Sequence, residues 1–504
     1  MTYDLRVPAQ LMAALTPDLV LMVGAMLLML YAAWRPESDR HQRAAGVASL
    51  AVLALTLAAV IWFAVRAPTA GPGVIAVDGF RWAADVIFLL SALATVALLI
   101  EQNPRDGIVS AESHVLVLFA TSGMMILAAA RDLMIVFLGL ELMSIAVYVL
   151  AGINRRSARS AEGALKYFLL GAFSTGFLLY GIALVYGATG STNLTEIAHR
   201  VGAFSLAGHA MLLLGVGLLA VGFGFKVAAV PFHMWAPDVY EGAPTPITAY
   251  MASGVKAAAF AMFLRVWIES FGLLDASWFA PLWWLAAITM LVGNVIALAQ
   301  RNIKRLLAYS SIVHTGYLLV AVLAGNRLGA AAFLFYLLAY TLANLGAFAV
   351  VTAMSQPGDR NLSIGDYDGL WSTRPWLAIG LAVCLLALLG FPVFGGAGFF
   401  AKWYVLQAAV ISRHPLISLA VLLVLTSLVS AGYYLHVVRV MFMKPRPEGA
   451  VEPDRLPPLT RAVLVASVTV LLVLGVFPSR VVSWVRSSAA DIARPAPAAT
   501  TIGR

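Results

Sequence analysis

Apolar runs of about 20 residues recur along this chain from one end to the other, and a helix of that length is what the hydrocarbon core of a bilayer demands. Strands of a membrane barrel would alternate every second residue, and the runs do not. A soluble protein would need about twice the 11% of charged residues found here. The expected fold class is therefore an all-α polytopic membrane protein. About fourteen transmembrane helices are predicted. They lie near 17–34, 45–65, 82–100, 113–130, 132–151, 162–188, 205–229, 244–270, 281–300, 303–324, 328–353, 376–412, 416–440 and 460–479.

Short loops carry the topology signal. Loops after odd-numbered spans hold most of the arginine and lysine: Arg35, Arg40, Arg43, Arg105, Arg155, Arg156, Arg159, Arg301, Lys304, Arg305, Arg360, Arg374, Lys444, Arg446 and Arg455. Fewer lie on the other side: Arg6, Arg66, Arg81, Arg131, Arg200, Arg327 and Arg413. Positive-inside logic puts the odd loops in the cytoplasm and both termini outside. This use of basic residues accounts for the net charge of +9, and with no compact basic domain, nucleic acid is not an expected partner. The first span lacks a basic leader and a cleavage site and reads as a retained helix. The Ala/Pro-rich tail after Arg486 reads as loose.

Against this apolar background, a few charges lie at depth. Lys256 is central in 244–270, Glu141 is central in 132–151, and Lys226 and Lys402 lie inside two further runs. An unpaired charge in hydrocarbon costs about 3 kcal/mol on insertion scales, so the default reading is an ion or proton path. Burial and pairing with a carboxylate act in opposite senses on an ammonium's hold on its proton, which suits lysine to a relay. Lys166 lies one turn into its helix, where snorkelling and function are equally served. His233 and His314 are secondary relay candidates because imidazole exchanges protons near neutrality; a hydrogen-bonded structural role is the competing reading. Tyr340 and Asn344, one turn apart, either extend a polar chain or pack as a hydrogen-bonded pair. Arg131 and Asp132 sit at a span boundary and read as interfacial.

Other chemistries find no support. The only cysteine, Cys384, excludes an internal disulfide, an iron–sulfur cluster and a cysteine zinc site. No dinucleotide fingerprint, phosphate loop or zinc-protease motif is present. The mid-span histidines have no context for a bis-histidine haem.

Two lysine-bearing runs are interrupted. Pro231, Pro237, Pro244 and Pro246 follow Lys226, and Gly390, Pro392, Gly395, Gly396 and Gly398 precede Lys402. Proline removes a helix donor and glycine lowers helix propensity, so both segments, the seventh and twelfth, are expected to be discontinuous. Gly222-Phe223-Gly224-Phe225-Lys226 echoes Gly398-Phe399-Phe400-Ala401-Lys402, and Tyr167-Phe168-Leu169-Leu170 echoes Phe335-Tyr336-Leu337-Leu338 at a similar offset. Two units of five spans, necessarily inverted, are the reading. The expected organisation is three helices in 1–111, one five-helix unit in 112–272, a second in 278–442, and a last helix with its tail in 443–504.

The wording of several segments carries a family resemblance. Phe137-Leu138-Gly139-Leu140-Glu141-Leu142-Met143-Ser144, and the run from Phe232 through His233, Trp235 and Pro237 to Thr245, resemble the proton-translocating antiporter-like proteins. These include three large membrane subunits of complex I and the Mrp cation/proton antiporter subunits. Ala164 to Ser174, Tyr186 to Ser191, and Trp235-Ala236-Pro237-Asp238-Val239-Tyr240-Glu241-Gly242 are most similar to the subunit N family of bacterial NADH:quinone oxidoreductases. The resemblance implies the fourteen-helix fold with two inverted repeats and broken helices 7 and 12. By position, Glu141 matches the family's fifth-helix glutamate and Lys226 the seventh-helix lysine that pairs with it. Lys256 matches the connecting lysine and Lys402 the outlet residue, while Lys166, His233 and His314 match further polar positions. The glycine-rich run 394–398 departs from the usual Pro-x-x-Gly-Phe wording of the twelfth-helix break.

The function so implied is proton translocation within a respiratory NADH:quinone oxidoreductase of the bacterial cell membrane. FMN, iron–sulfur clusters, NADH and quinone would lie in partner subunits, with no cofactor in this chain. The expected partners are the other complex I membrane subunits, above all the sister antiporter-like subunits, and the lipid bilayer. An Mrp-type cation/proton antiporter subunit is the alternative.

Overall fold

The computed structural model describes residue 12 and residues 14–34, 38–66, 73–356, 362–393, 396–448, 456–490 and 492. Arg6, Arg35, Arg360 and Arg455 of the topology argument, residues 394–395 of the glycine-rich run and the tail from 493 lie outside the described residues. Among the described residues the chain is helical, and eleven helices are long and apolar enough to cross a membrane. We label α1 Thr16–Trp34, α2 Asp39–Arg66, α3 Gly79–Arg105, α4 Glu112–Ala129, α5 Leu133–Ala151, α6 Ala158–Thr189, α7 Leu194–Ala203 and α8 Ala210–Lys226. Then come α9 Trp235–Gly242, α10 Thr245–Tyr250, α11 Lys256–Phe271, α12 Asp275–Leu298, α13 Ile303–Ala324 and α14 Arg327–Met354. The last are α15 Pro375–Leu389, α16 Gly396–Val410, α17 Ile417–Met443, α18 Pro458–Val476 and α19 Ser479–Ala489.

Local chemistry sets many of these boundaries. Asp132 caps α5 by accepting from the Met134 amide at 2.8 Å, and Asn302 caps α13 by accepting from the Lys304 amide at 2.8 Å. Gly190 and Gly390 take the left-handed conformation that closes α6 and α15. Two short bridges hold loops onto helix starts in the same way. Leu133 and Leu194 exchange amide bonds with Thr192 and Arg131, and Ile303 and Ile364 do so with Leu362 and Arg301. Corresponding partners in the two bridges are separated by one constant displacement along the chain, and the sequence echoes have a similar offset.

Burial sorts the helices into a centre and a periphery. The apolar windows of α13 and α14 are 94% buried, whereas those of α1 and α2 are 28% and 22% buried. Both interruptions expected from proline and glycine are present. Helix α8 stops at Lys226 and regular helix resumes only at Trp235, after a left-handed Ala228 and a cis Val230–Pro231 bond. Helix α15 stops at Leu389 and α16 begins at Gly396.

The helices and their ends differ from the sequence reading in three places. The segment 244–270 is not one uniform helix: Met251–Val255 forms a π-helical turn between α10 and α11. The hydroxyl of Ser91 on α3 fits against it, accepting from the Gly254 amide at 3.0 Å and meeting Ser253 Oγ at 2.6 Å. The tail after Arg486 is not loose at its start, because α19 runs to Ala489 with Val482, Val485 and Ala489 buried against the bundle. Arg81 and Arg131 are not free loop charges: Arg81 is fully buried within α3, and Arg131, in the loop before α5, is partly buried in a set of ion pairs.

Candidate functional site

The four charges singled out by depth do not form one contact chain; each has its own setting. Lys226, the last residue of α8, is buried and donates to Ser144 Oγ at 2.8 Å and Tyr148 Oη at 3.0 Å. Its ammonium lies 5.1 Å and 5.7 Å from the ring centroids of Tyr148 and Tyr167, a partial counter-charge supplied by aromatic faces. The pairing of Glu141 with Lys226 that the family resemblance implies is absent. Glu141 is half-buried on α5 and accepts from Thr175 Oγ1 of α6 at 2.9 Å, and no ion pair joins it to a lysine among the described residues. Ser144, one turn along α5 from Glu141, takes the place beside the ammonium.

Lys256 begins α11 directly after the π turn. It is buried and donates to the Ser311 carbonyl at 2.6 Å, to Thr315 Oγ1 at 3.0 Å and to Ser311 Oγ in a short contact. Three acceptors satisfy all three ammonium protons without a carboxylate. Thr315 in turn donates at 2.6 Å to the carbonyl of Val227, the residue after Lys226. The backbone freed by the first break thus leads from one lysine toward the next. Tyr340 donates to Ser311 Oγ at 2.8 Å, so it belongs to the polar chain, and the amide of Asn344 bonds the Tyr340 carbonyl at 2.9 Å.

His314 occupies the centre of α13. Its Nδ1 is hydrogen-bonded to Tyr336 Oη at 2.6 Å and its Nε2 to Tyr434 Oη at 3.3 Å; Tyr434 also bonds Ser310. The rings of Tyr340 and Tyr317 flank it at 4.9 Å and 5.5 Å between centroids. Lys402 on α16 donates to the Leu389 carbonyl at 2.8 Å, an acceptor exposed by the second break, and to Ser427 Oγ at 3.0 Å. Ser427 donates to Tyr317 Oη at 3.3 Å, and the Lys402 ammonium lies 4.8 Å from that ring. Three hydrogen-bonded groups result, around Lys256, His314 and Lys402, with aromatic contacts between them.

The remaining two candidates lie off this axis. Lys166 is 42% exposed and pairs with Glu162 at 2.7 Å and Asp238 at 2.9 Å. Arg305 of α13 binds Asp238 at 2.8 Å and Glu241 at 2.9 Å, so Lys166 joins a charged cluster that ties α6 and α9 to α13. His233 sits in the first break, partly exposed, with Nδ1 lacking a hydrogen-bond partner among the described residues.

Sequence reading missed the neutral partners: Ser144, Tyr148, Ser311, Thr315, Tyr317, Tyr336, Ser427 and Tyr434. Single hydroxyls in apolar helices carry little signal. The one pattern available was Ser311, His314 and Thr315, whose spacing puts them on one face of α13.

Comparisons with known proteins bear on this arrangement. Residues 130–429 match the family model described as NADH:quinone oxidoreductase/Mrp antiporter, TM. A protein of Gemmatimonas aurantiaca named NADH-quinone oxidoreductase subunit N is 50% identical over 94% of this chain and 93% of its own length. A chain in the structure of respiratory complex I from Thermus thermophilus with bound aureothin superposes with a TM-score of 0.77 at 38% identity, over 94% of this chain and 100% of that one. A chain of the Mrp complex from Dietzia sp. gives a TM-score of 0.84 at 22% identity, over 96% of this chain and 98% of its own, which is a likeness of fold.

Proposed function

This chain belongs to the NADH:quinone oxidoreductase/Mrp antiporter transmembrane family, and we propose that it is the subunit N type of proton-translocating membrane subunit in a respiratory NADH:quinone oxidoreductase. The carrying observation is the half-identity, over nearly the full length, to a relative of that name. NADH, FMN, iron–sulfur clusters and quinone act in partner subunits, and this chain, a multi-pass protein of the bacterial cell membrane, moves protons. Both termini face the outer side, and the two units 112–272 and 278–442 are inverted repeats, a reading supported by the matched bridges at Asp132 and Asn302. The Mrp-type alternative rests on likeness of fold at 22% identity.

We assign the path to Glu141, Lys226, Lys256 and Lys402, with His314 as a relay between the last two. Lys166 and His233 serve at the margins, Lys166 in the charged cluster and His233 in the break. The coupling element is the Glu141 carboxylate. While it is held by Thr175, the Lys226 ammonium has only hydroxyls and ring faces around it. Turned toward Lys226, the carboxylate becomes its counter-charge. An opposite charge nearby favours the ionised form, so this movement sets whether Lys226 keeps or passes its proton. Lys256 and Lys402 each rest on neutral oxygens, for Lys402 including the Leu389 carbonyl at the second break, which accept a proton-bearing ammonium without trapping it in an ion pair. Water must carry the proton across the aromatic contacts between the three hydrogen-bonded groups.

Replacing Lys226 by alanine tests the assignment. In membrane vesicles of the assembled complex, Lys226→Ala is expected to abolish proton pumping while the peripheral arm still oxidises NADH with an artificial acceptor. Full pumping in that variant would refute the path.

A further inference from the structure

Away from the lysine axis, a group of buried and half-buried charges lies where α1, α3, α11 and the loop before α5 meet. Among the described residues it holds four carboxyl groups, Asp18, Asp78, Asp85 and Glu269, and three guanidiniums, Arg81, Arg131 and Arg265. Arg265 grips Asp78 with both terminal nitrogens, each at 2.9 Å, and binds Glu269 at 2.7 Å. Arg131 reaches the same two carboxylates at 3.6 Å and 3.3 Å. Arg81 bonds Asp18 in a short contact and the Ala76 carbonyl at 3.0 Å. Asp78, Glu269 and Asp18 therefore each have a cation.

Asp85 is the carboxyl left over. It is fully buried, one turn along α3 from Arg81, and neither side-chain oxygen has a hydrogen-bond partner among the described residues. Among the described residues its one ion-pair partner is Arg81, whose Nε stands 3.5 Å away and makes no hydrogen bond, while its two terminal nitrogens already serve Asp18 and Ala76. The charged groups around Asp85 are thus Arg81 on its own helix, Asp18 on α1, Asp78 at the start of α3 and Arg265 on α11, with Glu269 and Arg131 beyond. Two of the four nearest are further negative charges. A fully buried carboxylate with no hydrogen bond and only a shared, non-bonding guanidinium beside it is costly, and an acid so placed takes up a proton instead.

We propose that this cluster is completed by a proton on Asp85, which makes it a proton-binding site on the N-terminal helices, separate from the lysine axis. The proton stands in for a fourth cation, leaving three carboxylates for three guanidiniums. The pairing also gives the site a defined response. If Asp85 loses its proton, Arg81 must serve two carboxylates, and the tie between α1 and α3 through Asp18 loosens. The proposal does not depend on the function assigned to the chain.

Infrared spectroscopy of the purified full-length chain in detergent tests it, by the carbonyl stretch of a protonated carboxylic acid. Wild-type protein at neutral pH is expected to show such a band, and Asp85→Asn, which keeps the shape of the neutral acid, is expected to lose it with the melting temperature unchanged. Asp18→Asn provides a second reading that does not need the first variant to fold: it frees Arg81 to pair with Asp85, so the band should disappear there too. The proposal is overturned if wild type has no band sensitive to these substitutions, or if Asp18→Asn keeps it. It is also overturned if sodium ions, added to wild type, shift a carboxylate band that Asp85→Asn lacks, which would mean that a metal cation occupies the place.

Discussion

Lys226 shows what an ammonium needs in this environment. Its ring and hydroxyl partners hold it in the absence of a carboxylate, and Glu141 is kept aside by one hydroxyl, that of Thr175. A hydrogen bond to a charged group contributes about 1.5–3 kcal/mol. Thr175→Val, nearly the same size, removes that bond and shifts Glu141 toward Lys226. Because about 1.4 kcal/mol corresponds to tenfold in population, the variant is expected to slow proton pumping by roughly tenfold without lowering the amount of assembled complex. Vesicle pumping measured beside membrane content checks this. An unchanged rate would mean that Thr175 does not govern the carboxylate's position.

At the level of elements, the second helix break brings a backbone carbonyl to Lys402, and the first leaves the Val227 carbonyl to Thr315, a partner of Lys256. The second break depends on a close crossing of α15 and α16. A Cβ on Gly398 would lie 1.7 Å from the Ala387 carbonyl oxygen, a backbone atom that cannot swing aside. Ala387 is two residues before Leu389, whose carbonyl receives Lys402, and Gly398 is one turn before Lys402 itself. Gly398→Ala is expected to push the half-helices apart, cost at least about 1–3 kcal/mol of stability and abolish pumping. A melting curve of the purified chain and a vesicle assay measure the two losses. Both breaks were legible in the sequence because proline and glycine act locally, and so were the deep lysines, because charge is conspicuous in apolar runs. The π turn before Lys256 was not legible: it depends on Ser91, remote in sequence, bonding the Gly254 amide. The Glu141–Lys226 pairing was implied by family position, whereas the rotamer that gives Glu141 to Thr175 is a tertiary outcome. Arg81 and Arg131 were read as loop charges because positions near span ends usually face water; the meeting of α1, α3 and α11 buries Arg81 and draws Arg131 into ion pairs.

At the level of the whole molecule, that buried ion cluster ties the N-terminal helices to the helix that carries Lys256. Arg265 lies on α11 between two and three turns beyond Lys256, and it is bound to Asp78 at the start of α3. Burial opposes the charge on Asp78, but the guanidiniums of Arg265 and Arg131 and the Arg81 amide prevail and hold its carboxyl below the ordinary aspartate range. For a carboxyl lowered in this way, the stabilisation is present above the ordinary aspartate value and is lost as the pH falls through the lower native one. The melting temperature of the purified chain should therefore drop on acidification, and the dependence should weaken in Asp78→Asn. Removing one partner alone is the harsher change. Arg265→Met leaves Asp78 and Glu269 with Arg131 as their one ion-pair partner among the described residues, and breaking a buried pair in this manner costs about 3–5 kcal/mol. Combining Arg265→Met with Asp78→Asn and Glu269→Gln removes the stranded charges together, so the triple variant should melt closer to wild type than the single one. If the three losses simply add, the charges do not act as a unit, and α3 and α11 are held together by apolar packing alone.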